Sequence, residues 1–551
     1  MSDTSPTTPS SPASPRPRDH VDVVVVGAGI AGLYALHRLR SDGWSVRVFE
    51  AGPDIGGVWF WNRYPGARCD VESVDYSYSF DTALQQEWDW SEKYATQPEI
   101  LRYLHHVADR FDLRRDITLD TRVVDMSFDE SSSSWTVRTD RGEEVTSRFC
   151  VLAVGPLSSA NIPEIPGLDS FSGQIVHTSS WPEDVDLTGR RVGVIGTGSS
   201  GIQAIPHIAR EAGDLYVFQR TANFSIPAGN RPLDAQTRAQ YKRSYDERRR
   251  LSMESGGGSP HRPHPESALA VTDDERRIAY EKRWQLGGVL FSKTFPDQLT
   301  DRAANDTARS FWEQKIRAVV DDPAVAERLI PGDHPIGAKR ICTDDNYFET
   351  YNRANVHLVD VRQSPIDCVV AEGIRTAGET IGLDVIVLAT GFDAMTGSID
   401  RINIVGRDGQ TLKQAWSAGP RTYLGLGVDG FPNLFNIAGP GSPSVLANMV
   451  LHAELHVDWV ADAIGHLDAA GRRSIEATTE AVDAWVADCA DRADNTLMPQ
   501  ANSWYLGANV PGRPRVFMPF VGGFGVYREI IADVAADGYR GFALMPAEEL
   551  T

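Results

Sequence analysis

The sequence predicts an α/β protein made of two parallel-sheet units, the second carrying a mostly helical insertion. Three observations predict it. Strand, glycine loop, helix and second strand follow one another between Val21 and Glu50. The same order returns between Arg191 and Thr221. From about 228 to 334 the texture changes to charged stretches with helical period.

The first unit opens with a β-branched strand, Val21 to Val26. GAGIAG (Gly27 to Gly32) follows, then a segment apolar at helical spacing, Ile30 to Leu39. Ser45 to Phe49 reads as the next strand and ends at Glu50. The second unit has the strand Arg191 to Ile195, GTGSSG (Gly196 to Gly201), a helix through Ala209 and the strand Leu215 to Phe218. Gln219-Arg220-Thr221 stands where the first unit has its acid. A third strand, Asp384 to Ala389, leads into Thr390-Gly391-Phe392-Asp393. In the insertion, Arg238 to Arg250 is helical in period, and its Glu247 to Arg250 run reads as a solvated face. Residues 255–265 read as a flexible or functional loop. A last helix is expected from Leu446 to Leu467. The expected boundaries are a disordered tail at 1–19, a first unit at 20–155 and 385–551, a second at 156–227 and 335–384, and the insertion at 228–334.

Each glycine loop has a physical purpose. Gly27 and Gly196 make the tight turn. Gly29 and Gly198 let backbone approach a pyrophosphate. Gly32 and Gly201 let helix pack on strand, and the helix N-terminus then faces the phosphates. Thr197, Ser199 and Ser200 lie in the second loop and count with it. This is the Rossmann-like dinucleotide unit, present twice. Glu50 suits a ribose diol, as in FAD or NAD, whereas Arg220 and Thr221 suit a 2′-phosphate, as in NADP. Lys339 would add a second cation there. One site is therefore expected to hold FAD and the other NADP(H), and hydride would pass from nicotinamide to flavin.

Composition narrows the class. The 551 residues leave room for three or four domains. A net charge of −21 argues against broad nucleic-acid or anionic-membrane binding. The five cysteines include no CxxC pair, which disfavours a disulfide reductase and fits a reducing, cytoplasmic setting. No apolar run approaches the roughly 20 residues of a membrane helix. The Ser/Thr/Pro-rich first 19 residues lack the apolar core of a signal peptide.

FSGQIVHTSSWP (171–182) fits FxGxxxHxxxW[P/D] at Phe171, Gly173, His177, Trp181 and Pro182. GGVWFWNRYPGARCD fits [A/G]GxWxxxx[F/Y]P[G/M]xxxD at Gly56, Gly57, Trp59, Tyr64, Pro65, Gly66 and Asp70. On these patterns the chain resembles the Baeyer–Villiger monooxygenases, flavin-dependent class B enzymes, over about residues 20 to 540. Residues 64–80 look most like the phenylacetone and steroid monooxygenase branch. The resemblance implies that NADPH reduces FAD, that O2 gives a C4a-peroxyflavin, and that this converts a ketone to an ester or lactone. It also implies catalytic roles for Arg340, as a cation that cannot readily deprotonate, and for Asp70, its orienting carboxylate. Lys339, Arg220 and Thr221 fall on the 2′-phosphate contacts and Trp504 on a nicotinamide-nucleotide contact. Gly57, Trp59, Asp70, Tyr76 and Met449 join the cofactor-binding set. The fingerprint itself is expected to link domain movement to cofactor handling, with Gly173 at a tight turn.

The alternative is a same-fold flavin monooxygenase that oxygenates sulfur or nitrogen. Its oxidant is protonated, so Arg340 beside Asp70 weighs against it. A nucleotide-binding regulator without turnover is disfavoured because each matched position is intact. His452 and His456 share a helix face, but Glu454 is misplaced for HExxH, and no metal is expected. The loop Ser442 to Leu446 and parts of the insertion are expected to line the substrate pocket.

Overall fold

The computed structural model describes residues 19–546. The expected tail therefore lies outside the described residues except for Asp19, which opens the first strand, Asp19–Val26. That strand is the middle of an eight-stranded sheet. It pairs in parallel with Val46–Phe49 on one side and Glu144–Leu152 on the other. Val23, Val24 and Val25 are fully buried, as a parallel strand covered on both faces requires. An antiparallel meander of Val123–Asp129, Ser134–Thr139 and Glu144–Leu152 extends the sheet. Three more strands complete it: Ile117–Thr118 pairs with Val46–Phe49, Asn403–Val405 with Val123–Asp129, and Leu434–Asn436 with Glu144–Leu152.

The second sheet has five parallel strands, in the order Val356–Asp360, Asp214–Gln219, Arg191–Ile195, Val385–Leu388 and Gln174–His177. This corrects one expected boundary. Val385–Leu388 lies inside the second sheet, so the chain does not return to the first unit at 385. All four of its residues are buried, and it pairs with a strand on each side.

The insertion contains four helices: Ala235–Met253, Asp273–Leu286, Arg302–Val319 and Pro323–Leu329. Trp312 ties it to the second sheet region. Its ring meets Phe224 edge-on at 4.8 Å, and its indole N–H donates to the Ser225 carbonyl at 2.8 Å. A second attachment overturns the reading of 247–250 as a solvated face. Glu247 and Arg250 are exposed and pair with each other. Arg248, however, donates to Glu72 at 2.8 Å and to Asp75 at 2.5 and 3.0 Å. Arg249 is buried and donates to the carbonyls of Asp75 and Ser77. The 255–265 loop is fixed as well. Gly256 and Gly257 carbonyls accept from Phe524 and Asn448, and His261 meets Glu72 at 3.0 Å. No helix among the described residues is long and apolar enough to cross a membrane.

Candidate active site

The first glycine loop shapes its own backbone. Gly27 has φ +102°, and a Cβ on Gly32 would lie 1.8 Å from the Gly27 carbonyl oxygen. The helix Ile30–Ser41 begins at Gly29 with no side-chain cap and no acid in its first turn. The second loop repeats this. A Cβ on Gly201 would lie 2.3 Å from the Gly196 carbonyl, and Ser199–Glu211 begins at an uncapped Gly198. Asp81, Asp234, Thr272, Asp301, Asp322, Thr411, Asn448 and Thr478 each cap their helix with a side-chain oxygen, whereas the helices that start at Thr96 and Gly523 are uncapped like the two glycine-loop helices. The two glycine-loop helices thus leave their first N–H groups for an anionic ligand. A Cβ on Gly198 would meet nothing within 4 Å, so space stands open at that helix end. These features fit dinucleotide pyrophosphates.

Glu50 sits where the sequence put it, at the end of Val46–Phe49. Its two oxygens accept from the backbone N–H groups of Ala28 and Gly52, each at 2.8 Å. Burial pushes its pKa up and those two N–H groups oppose the rise. It therefore orders the glycine loop itself. A carboxylate accepts about four hydrogen bonds, so capacity remains for a ribose diol.

The GGVWFWNRYPGARCD segment runs from one glycine-loop helix to the other. Gly57, at φ +55°, packs against Gly29. Trp59 donates to the Tyr76 hydroxyl at 3.1 Å. The Tyr64 hydroxyl donates to Gln203 at 2.8 Å, on the helix Ser199–Glu211. Gly66, at φ +82°, lies against Gln203 and His207 of that helix, where a Cβ would be 2.6 Å from the Gln203 carbonyl oxygen. The segment ends at Asp70.

Asp70 meets Arg340 across 270 residues. One carboxylate oxygen, Oδ2, accepts from both Nε at 3.1 Å and Nη2 at 2.6 Å. Nη1 donates to the Val445 carbonyl at 2.6 Å. Burial disfavours the charged guanidinium, but Asp70 outweighs it and Arg340 is held above the ordinary arginine value. Tyr505 is buried beside it, its pKa pushed up to about 12 by that burial, with Arg340 pulling the other way. Trp504 is half-buried against Tyr505, with ring centroids 4.4 Å apart. Met449 opens the helix Met449–Ala469, whose Asn448 cap also donates to the Asp75 carbonyl at 2.7 Å. The loop 442–446 thus contributes a backbone carbonyl to the site, a contact the sequence could not show.

The fingerprint occupies the second sheet's edge. Gly173 takes no positive φ. Its constraint is close approach, since a Cβ would lie 2.3 Å from the Asp384 carbonyl oxygen. His177 Nδ1 accepts from the Ser179 N–H at 3.1 Å, and Nε2 lies 3.4 Å from the Thr390 hydroxyl. Trp181 is buried in the same cluster as Tyr64 and Ala67, and Arg63 pairs with Glu183 at 2.7 Å. The two sequence motifs therefore meet. His452 and His456 are buried, 3.0 Å apart, and His456 meets Tyr527 at 2.6 Å. Burial pushes the His452 pKa down to about 3, so the pair is a neutral core network.

Arg220 and Thr221 follow the strand Asp214–Gln219. Lys339 is half-buried nearby. Burial lowers its pKa; Asp333 opposes this, and the charges of Arg220 and Arg362 add to it. Arg362 went unread in the sequence. It donates to the Thr221 hydroxyl at 3.0 Å.

The description "Flavin-binding monooxygenase-like" matches residues 20–229. A Baeyer–Villiger monooxygenase of Pseudooceanicola batsensis is 44% identical over 94% of this chain and 95% of its own length. The chain belongs to the Baeyer–Villiger monooxygenases. The structure of an oxidised steroid monooxygenase bound to NADP superposes on this Baeyer–Villiger monooxygenase with a TM-score of 0.93. Their identity is 70%, covering 96% of this chain and all of the other. A phenazine N-monooxygenase of Lysobacter antibioticus is 43% identical over 96% of this chain and 97% of its own.

Proposed function

We propose that this Baeyer–Villiger monooxygenase uses FAD, NADPH and O2 to convert ketones to esters or lactones, with Arg340 and Asp70 as its catalytic pair. The observation that carries the reading is a guanidinium anchored on Asp70 and Val445 beside the segment that joins the two glycine-loop helices. When bound, the nicotinamide supplies hydride and the flavin supplies the electrons that activate O2. The chain's own residues do the rest. The uncapped helix starts at Gly29 and Gly198 take the pyrophosphates. Glu50 takes a ribose diol, and Arg220, Thr221 and Lys339 take the 2′-phosphate. Gly57, Trp59, Tyr76 and Met449 surround the flavin, and Trp504 holds the nicotinamide nucleotide.

Arg340 stays protonated at any working pH, so it can neither supply nor remove a proton. Its role is electrostatic: free N–H groups stabilise the negative charge that develops on the ketone oxygen. Asp70 fixes the guanidinium plane, and Val445 fixes its far end. A cation that keeps its proton favours an anionic oxidant and hence a ketone substrate. Oxygenation of amines or sulfides needs a protonated oxidant, which a guanidinium that keeps its own proton does not favour. The test is to incubate the yellow protein with NADPH, labelled O2 and linear, cyclic and aryl ketones, then with sulfides and amines. An ester or lactone carrying one labelled oxygen is expected. Label appearing only in sulfoxides or N-oxides would replace this reading with the alternative.

A further inference from the structure

The strands Asp214–Gln219 and Val356–Asp360 are parallel neighbours in register, Gln219 facing Asp360. The residues just beyond each strand therefore emerge side by side, at the carboxyl edge where open α/β sheets bind ligands. Arg220 and Thr221 emerge from one strand, Val361 and Arg362 from the other. The turn is fixed, because the Val361 N–H donates to the Gln219 carbonyl at 3.0 Å and the Arg362 N–H to Asp360 at 2.9 Å. The Thr221 carbonyl in turn accepts from Thr197 in the glycine loop at 2.9 Å. Contacts thus run unbroken from phosphate loop to Thr221 to Arg362.

The charges at this edge are unequal in their commitments. Arg220 and Lys339 form no ion pair among the described residues. Arg362 pairs with Asp333 at 2.9 Å, while half of its side chain stays open to solvent. Asp333 is itself held by His334 at 2.6 Å. Three cations face two carboxylates, Asp333 and Asp360, which leaves a surplus of one positive charge to meet a phosphate monoester that carries about −1.5 to −2 near neutral pH.

We propose that Arg362 is a further 2′-phosphate-binding residue, acting with Arg220 and Lys339 to set the preference for the phosphorylated nicotinamide nucleotide; this rests on the NADP reading of the second glycine loop. Asp333 neutralises and positions Arg362 while the pocket is empty. A 2′-phosphate then draws the guanidinium away from Asp333 and the Thr221 hydroxyl.

The test measures binding of NADP+, NAD+, 2′-AMP and 5′-AMP to the flavin-loaded enzyme by calorimetry, so it does not depend on turnover. Arg362→Ala is expected to weaken NADP+ and 2′-AMP roughly 10-fold, the scale of one charge-assisted hydrogen bond, and to leave NAD+ and 5′-AMP within about twofold. Arg362→Lys, which keeps the charge, is expected to recover part of the loss. Equal weakening of NADP+ and NAD+ would mean that Arg362 only props Thr221, and unchanged NADP+ affinity would remove it from the pocket; either overturns the proposal. Arg220→Ala separates the two levels. If it alters the NADP+ to NAD+ preference while Arg362→Ala does not, only this proposal fails. If neither does, the 2′-phosphate reading fails with it.

Discussion

Replacing Arg340 by alanine should divide the reaction in two. Three of its five N–H groups are committed to Asp70 and Val445, which leaves up to two for a reacting oxygen. Removing one preorganised donor from a developing oxyanion costs about 2.7–4 kcal/mol, or roughly 10²–10³ in rate. A unit charge about 4 Å away at an effective dielectric near 20 gives about 4 kcal/mol, which agrees. Both figures are lower bounds, because alanine leaves the Asp70 carboxylate uncompensated beside the growing negative charge. Flavin reduction creates no such oxyanion. Anaerobic bleaching of the flavin by NADPH is therefore expected to stay within about tenfold of wild type, while ester formation drops by at least several hundredfold. Stopped-flow absorbance reads the first and product analysis the second. Arg340→Ala making ester within tenfold of the wild-type rate, or losing reduction and oxygenation equally, would refute the assignment.

Other perturbations follow from geometry already described. Gly32→Ala drives a methyl into the Gly27 carbonyl and is expected to give colourless or insoluble protein. Gly198→Ala meets nothing, so that variant should stay yellow but bind NADP+ more weakly by calorimetry; unchanged affinity would move the pyrophosphate elsewhere. Arg248→Ala strands the buried Asp75 carboxylate, while Glu72 keeps His261 and Lys93, and should cost about 3–5 kcal/mol in denaturant unfolding, against roughly 0.5 for exposed Arg250→Ala. Equal effects would contradict the buried attachment. Burial pushes Asp344 up to about 6. Its raised pKa means the folded chain keeps a proton that the unfolded chain releases near pH 4. Stability from this group is thus fullest below about pH 4 and lost as pH rises through 6, by roughly 3 kcal/mol at most. Asp344→Asn should gain on the wild type by that margin between pH 4 and 7, read from unfolding midpoints; a pH-independent difference would show the carboxyl is not strained.

The parts of the site legible in sequence are those whose constraint is local. Gly27, Gly29 and Gly32 answer to one turn and one helix start, so spacing alone places them. Strand runs such as Val23–Val25 and Val385–Leu388 declare their burial by composition, but composition does not say which sheet receives them. That is why composition alone places Val385–Leu388 in the wrong unit. The Asp70–Arg340 bond spans 270 residues and came only through resemblance. The Val445 carbonyl has no side-chain signature at all. Arg362 stands 141 residues from Thr221 and is betrayed only by strand order. Arg248 and Arg249 look like solvent charges until Glu72, Asp75 and Ser77 are brought against them.

Those two arginines bear on how the molecule can bend. By chain order the helix Ala235–Met253 belongs to the second unit. Mechanically it is fastened to residues 72–77 of the first, a few positions past Asp70, and the loop that follows it is fastened to Asn448 and Phe524. The stretch leading into the helix is fastened there too, because the Lys93 N–H donates to the Arg231 carbonyl at 2.9 Å and the Leu233 N–H to the Ser91 carbonyl at 2.8 Å, so a swivel between the sheets would carry residues 230–253 with the flavin side. The wall around Arg340 keeps its shape, and the slack is taken up in the chain that leads to it.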